Sequence, residues 1–129
     1  MAKIVVIDDV AGVRRSVVST LKRAGHEVWE ADNGREGAEI VRRHDPDLVI
    51  TDILMPELDG LETMDLIGRE RTGPNGTGRR PRFLAISGGG SLVASEEALK
   101  AASMRADGVL AKPFLGAELT AQVTKILEA

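Results

Sequence analysis

Leu48-Val49-Ile50-Thr51-Asp52-Ile53-Leu54-Met55-Pro56-Glu57-Leu58-Asp59-Gly60 is the stretch that decides the fold. An apolar run of strand length, Leu48 to Ile50, leads to a single carboxylate at Asp52 and then breaks. Pro56 donates no ladder hydrogen bond and cannot continue a central strand, while Asp59-Gly60 offers a turn and a helix N-cap. Asp52 therefore falls at the carboxyl end of a strand, where open α/β sheets place their ligands. By itself the stretch also fits an ordinary polar strand terminus closing into a turn, so other segments must decide.

Working outward, Ile4-Val5-Val6-Ile7 is an unbroken β-branched run, the mark of a strand covered on both faces, and it stops at Asp8-Asp9. Val13, Val17, Leu21 and Ala24 then recur at helical spacing, and Gly25 is placed to close that helix. Glu27 to Ala31 alternates like an edge strand. Asp32-Asn33-Gly34 is turn chemistry, and a helix carrying Ala38 and Val41 ends near His44, before Asp45-Pro46. Beyond Asp59-Gly60, Leu61, Met64, Leu66 and Ile67 give a third helix that runs out between Gly68 and Thr72. A polar, glycine-rich loop from Gly73 to Pro81 follows.

Phe83 to Ile86 is a fourth buried strand, ending at Ser87 with Gly88-Gly89-Gly90 behind it. A fourth helix spans roughly Leu92 to Met104, with Ser91 and Ser95 competing for its N-cap. Val109 to Ala111 makes a short fifth strand stopping at Lys112-Pro113, and Leu119, Val123, Ile126 and Leu127 mark a last helix. Five strands alternating with five helices, joined by right-handed crossovers, wind into one doubly wound parallel sheet with helices on both faces.

The 129 residues, 43% apolar, fit one compact domain over 1–129. A formal charge of -3 with acids and bases interspersed gives neither a nucleic-acid footprint nor an acidic tail. There is no cysteine, hence no disulfide framework or thiolate chemistry, and no apolar run approaches membrane-spanning length. The expectation is a cytoplasmic protein without direct nucleic-acid or membrane contact.

Asp8, Asp9, Asp52, Ser87 and Lys112 terminate four separate strands, and a doubly wound sheet gathers its strand ends in one crevice. Carboxylates within about 4 Å of each other repel by several kcal/mol at a surface-like dielectric and call for a counter-cation. Oxygen-only ligands point to Mg²⁺, which suits phosphate chemistry. Lys112 adds a charge able to hold a phosphoryl oxygen, and Ser87 a hydroxyl donor.

In these residues the chain resembles the receiver domain of two-component response regulators, of the chemotaxis type. The motifs are Asp8-Asp9 after the first strand, Asp52 with Met55-Pro56 and Asp59-Gly60, Ser87 after the fourth, and Lys112-Pro113-Phe114 after the fifth. The resemblance covers the chain from Lys3 to the last helix. It implies a flavodoxin-like sheet of order 2-1-3-4-5, with Asp52 as phosphoryl acceptor. Mg²⁺ would be held by Asp8, Asp9, Asp52 and the backbone carbonyl of Leu54. Lys112 would pair with the phosphoryl group, Ser87 would move to bond it, and the Lys112–Pro113 bond would be cis. The donor would be a sensor histidine kinase or histidine phosphotransfer protein. The output would be a protein-binding surface on the fourth helix, fifth strand and fifth helix. Such a protein is a signalling receiver that catalyses only its own phosphorylation and dephosphorylation.

The chain departs from that pattern at Val109, where receivers usually carry Tyr or Phe as a rotameric switch, and at Val10, where many relatives have another acid. Rival readings fit less well. A haloacid dehalogenase-type phosphatase wants a second Asp where Leu54 stands, and usually a cap domain. A flavodoxin-like electron carrier wants a Ser/Thr-rich phosphate loop in place of Asp8-Asp9. A phosphorylation-independent pseudo-receiver leaves the acid pair, Asp52 and Lys112 without a purpose. Elsewhere, His26 and His44 read as surface residues, Trp29 as packing, and Arg79, Arg80 and Arg82 as a solvated cluster. The resemblance further implies that Arg14, Arg15 and an exposed Val18 form a kinase-docking face on the first helix.

Overall fold

The structure, a computed structural model, describes residues 2–55, 58–72, 80–88 and 96–129. Among these residues the order is β1 (Lys3–Ile7), α1 (Ala11–Arg23), β2 (Glu27–Ala31), α2 (Gly34–His44), β3 (Leu48–Asp52) and α3 (Gly60–Thr72). It continues with β4 (Arg82–Ser87), α4 (Glu96–Arg105), β5 (Gly108–Ala111) and α5 (Gly116–Glu128). The sheet is parallel, ordered β2-β1-β3-β4-β5. This is the doubly wound sheet expected from the strand pattern, in the flavodoxin-like order that the resemblance implies.

Strand side chains alternate between the two faces, so the unbroken apolar runs feed two cores at once. Ile4, Val6, Leu48, Ile50, Leu84 and Ile86 pack with Val17, Val18 and Leu21 of α1 and Leu119, Val123 and Ile126 of α5. Val5, Ile7, Val49, Phe83 and Ala85 pack with Ala38 and Val41 of α2, Met64 and Ile67 of α3 and Ala102 of α4. Two helices thus cover one face and three the other. Val18, expected to be exposed, is 5% exposed and belongs to the core, because α1 contacts both the sheet and α5 and buries a wider stripe than one helical row.

Local chemistry sets the element ends. Gly25 adopts φ +95° after α1, and the Gly25 and His26 N–H groups donate to the Lys22 and Leu21 carbonyls at 3.0 and 3.1 Å. Asn33 caps α2 by accepting the Glu36 N–H at 2.9 Å, and Asp59 accepts the Glu62 N–H at 2.9 Å at the start of α3. The Gly73–Arg79 loop, the Ser91 and Ser95 caps and Gly89-Gly90 lie outside the described residues; the described part of the fourth helix begins at Glu96.

Arg82, expected in a solvated cluster, is half-buried and donates to the Ile126 carbonyl, and Arg80 lies over the Phe83 ring, 5.2 Å from its centroid. Trp29 does pack: its ring stacks on His44 with centroids 4.1 Å apart. His26 is only half-exposed, its Nδ1 accepting the Ala2 N–H at 3.1 Å.

Candidate functional site

Parallel register brings the strand ends to one edge. Ile7 lies opposite Thr51 and Asp52 opposite Ile86 in the sheet, while Ser87 lies opposite Ala111, the residue before Lys112. The Lys112 N–H donates to the Ser87 carbonyl at 2.7 Å and the Lys112–Pro113 peptide is cis. Segments more than a hundred residues apart in sequence thereby deliver their polar side chains to the same place.

Asp8 and Asp52 are buried and Asp9 is exposed, and one carboxylate oxygen from each lies within 4.8 Å of the other two. Lys112 Nζ sits 3.1 Å from Asp8 Oδ2 and 3.1 Å from Asp52 Oδ2, hydrogen-bonding the latter. Asp8 Oδ1 accepts the Val10 N–H at 2.9 Å, whereas Asp8 Oδ2, fully buried, makes no well-aligned hydrogen bond among the described residues and faces the Lys112 ammonium at 3.1 Å. Ser87 is buried at the end of β4.

Charge balance follows from this packing. Burial pushes the Asp52 carboxyl above its ordinary range, the hydrogen bond and charge of Lys112 pull against that rise, and the Asp8 charge adds to it. For Lys112, burial works against the ammonium, but the Asp52 and Asp8 carboxylates outweigh it and raise its pKa. One ammonium faces three acids. At the observed spacing each ionised acid pair repels by on the order of 3 kcal/mol at an effective dielectric of about 20. An all-oxygen set with one buried oxygen short of a well-aligned hydrogen bond fits a hard divalent cation such as Mg²⁺.

The chain matches the model of the response regulator receiver domain over residues 4–124. It belongs to that family. Among solved structures, this receiver is similar to the chemotaxis protein CheY4 of Vibrio cholerae, with a TM-score of 0.83 and 27% identity covering 98% of both chains. It is also similar to NtrX of Brucella abortus in complex with ATP, with a TM-score of 0.81 and 29% identity over 98% of this chain and 27% of that one. Response regulator MprA of Mycolicibacterium vanbaalenii is 33% identical over 97% of this chain and 50% of its own length. A probable transcriptional regulator, ycf27, of Porphyra purpurea is 31% identical over 97% and 47%. The chain thus spans about half the length of these curated relatives. Receivers are signalling modules that work with histidine kinases and downstream effectors and are generally Mg²⁺-dependent. Among the described residues no helix of this one is long and apolar enough to cross a membrane.

Of the residues singled out in the sequence, Asp8, Asp9, Asp52 and Lys112 converge side chain to side chain, and Ser87 is placed beside them by register. Val109 is half-buried against the α2/α3/α4 core. Two features were not legible. The Arg14 side chain is only 14% exposed and folds back onto the Asp8 carbonyl, and Gly60 lies directly on the Asp52 main chain.

Proposed function

We propose that residues 1–129 act as a single phospho-accepting receiver in which Asp52 takes a phosphoryl group from the phosphohistidine of a sensor histidine kinase or histidine phosphotransfer protein. The observation that carries this reading is Lys112, held between Asp8 and Asp52 at 3.1 Å from each, with Asp9 beside them. Asp8, Asp9, Asp52 and the Leu54 carbonyl would hold Mg²⁺, which when bound shields the phosphoryl oxygens and lowers the repulsion facing an anionic nucleophile.

A carboxylate oxygen of Asp52 attacks phosphorus in line with the leaving imidazole. The new P–O bond makes an acyl phosphate, and the breaking P–N bond returns its electron pair to the histidine ring. Asp52 is ionised at neutral pH, so no general base is required. Lys112 keeps one hand on the acid cluster and offers its other donors to the phosphoryl oxygens, and the Ser87 hydroxyl supplies a further hydrogen bond. Water attack on the acyl phosphate returns the resting state, so the chain catalyses its own phosphorylation and dephosphorylation. The acyl phosphate carries about -2 where the carboxylate carried a single charge, and this change shifts the α4, β5 and α5 face toward a partner-binding state. With Val109 in place of an aromatic, that shift runs through Ser87 and helix packing rather than a ring flip. The kinase meets the α1 side, where Arg15 is exposed. This reading places the receiver in the cytoplasm, with such kinases.

Acetyl phosphate and Mg²⁺ with the purified protein test it. A mass gain of about 80 Da, one phosphoryl group, is expected on Asp52 in the wild type and not in Asp52→Asn. A wild type that gains no mass would indicate an interaction module that never takes phosphate.

A further inference from the structure

We propose that Arg14 is a positioning residue for the Asp8 carboxylate, fixing the acid so that its Oδ2 faces the cation site. The inference rests on the receiver reading above. Asp8 follows directly on β1, and nearly every polar group it owns is held. Its N–H donates to the Ala31 carbonyl of β2 at 3.1 Å, its carbonyl accepts Arg14 Nη1 at 2.9 Å, and its Oδ1 accepts the Val10 N–H at 2.9 Å. Among the described residues Oδ2 makes no well-aligned hydrogen bond and has only the Lys112 ammonium beside it, at 3.1 Å. A carboxylate fixed at every other point has one oxygen to offer.

Arg14 is the side chain in that set, and its own geometry is constrained. Nε donates to Glu30 Oε1 at 2.9 Å while Nη1 reaches Asp8, so two donors of one rigid guanidinium plane are committed in different directions. The side chain is only 14% exposed and Glu30 42%. A docking charge that waits for a partner is usually free in solvent; this one spans α1, the end of β1 and the end of β2. Arg15, its neighbour, is exposed and remains available for that task.

The sign of the effect on cation binding separates this role from that of a nearby positive charge. A cation next to three acids competes with a divalent ion, so its removal by electrostatics alone strengthens Mg²⁺ binding. Removing a group that orients a ligand weakens it, typically by tenfold or more when outer partners of metal ligands are lost.

The experiment is calorimetric titration of Mg²⁺ into metal-free wild type, Arg14→Lys and Arg14→Gln, with a thermal melt of each. Arg14→Lys keeps the charge but cannot hold the Glu30 and Asp8 acceptors in one plane. It is expected to bind Mg²⁺ roughly threefold more weakly, and Arg14→Gln roughly tenfold more weakly. Arg14→Lys binding as tightly as wild type overturns the proposal, as does Arg14→Gln binding equally or more tightly, even if the melting temperature falls. Should Arg14→Gln fail to fold, the Arg14→Lys comparison decides. A wild type without Mg²⁺ binding defeats the receiver reading itself, a result distinct from unequal variants.

Discussion

Gly60 lies so close to Asp52 that a Cβ built on it would sit 2.1 Å from the Asp52 carbonyl oxygen and 2.8 Å from the Ile53 Cα. The Gly60 N–H also donates to the Ile53 carbonyl at 2.9 Å. The first residue of α3 is therefore stacked on the main chain of the acceptor. Neither partner is the flexible end of a side chain, so the contact cannot relax cheaply. Gly60→Ala is expected to cost about 3 kcal/mol, at the upper end for overpacking, and to weaken Mg²⁺ binding because Asp52 must shift. Urea unfolding and Mg²⁺ titration check both; an alanine variant of unchanged midpoint contradicts the contact.

The acid cluster makes stability depend on pH with a definite sign. Burial raises the Asp52 carboxyl above its ordinary 3.8, with Lys112 opposing and Asp8 adding to the rise. The folded chain holds that proton more tightly than the unfolded chain does. The resulting contribution is present in full below the unfolded value and lost as pH rises through the folded one. At neutral pH the ionised Asp52 thus costs stability, and Asp52→Asn is expected to unfold later without divalent ions, by about 0.5–2 kcal/mol. The gain should vanish near pH 3. Urea midpoints at the two pH values test this, and a less stable Asn variant at pH 7 contradicts it.

The acids and Lys112 were legible because a parallel sheet sends every carboxyl-terminal strand end to the same edge, so residues after Ile7, Thr51, Ile86 and Ala111 had to meet there. Arg14 was not. Helical spacing places it off the apolar stripe, and that pattern does not register a side chain long enough to turn back to the Asp8 carbonyl. Val18 failed for a related reason: it lies one step from Val17 on a helix covered by both the sheet and α5. Gly60 looked like a turn residue, and only its distance to Asp52 shows that the missing side chain matters.

Lys112 answers two buried acids, and its removal leaves both uncompensated. The side chains of Lys112, Asp8 and Asp52 are 7%, 2% and 7% exposed. Breaking such a pair by deleting one partner costs about 3–5 kcal/mol. Lys112→Met is expected to lose about 3 kcal/mol at pH 7 without divalent ions and to regain part of it as pH falls, when the acids protonate. Mg²⁺ should bind it more tightly than wild type, since the competing ammonium is gone, while phosphoryl uptake from acetyl phosphate falls. Calorimetry and phosphorylation assays separate the two effects; weaker Mg²⁺ binding would contradict the assigned competition.

At the opposite end of β1, His26 Nδ1 accepts the Ala2 N–H at 3.1 Å while the Ala2 carbonyl accepts the Glu27 N–H at 2.9 Å. Only an imidazole unprotonated at Nδ1 can accept, and burial lowers the His26 pKa from its usual 6.5. The folded chain releases this proton more readily than the unfolded chain. The stabilising contribution is present above the unfolded value and lost as pH falls through the lowered folded one. His26→Ala is expected to destabilise by about 1 kcal/mol at pH 7.5, the typical worth of one hydrogen bond, and by progressively less below pH 6. In NMR titration the imidazole should change below 6.5, and the Ala2 amide should exchange faster once it has done so. An imidazole titrating above 6.5 would mean that the hook to Ala2 is not held in solution.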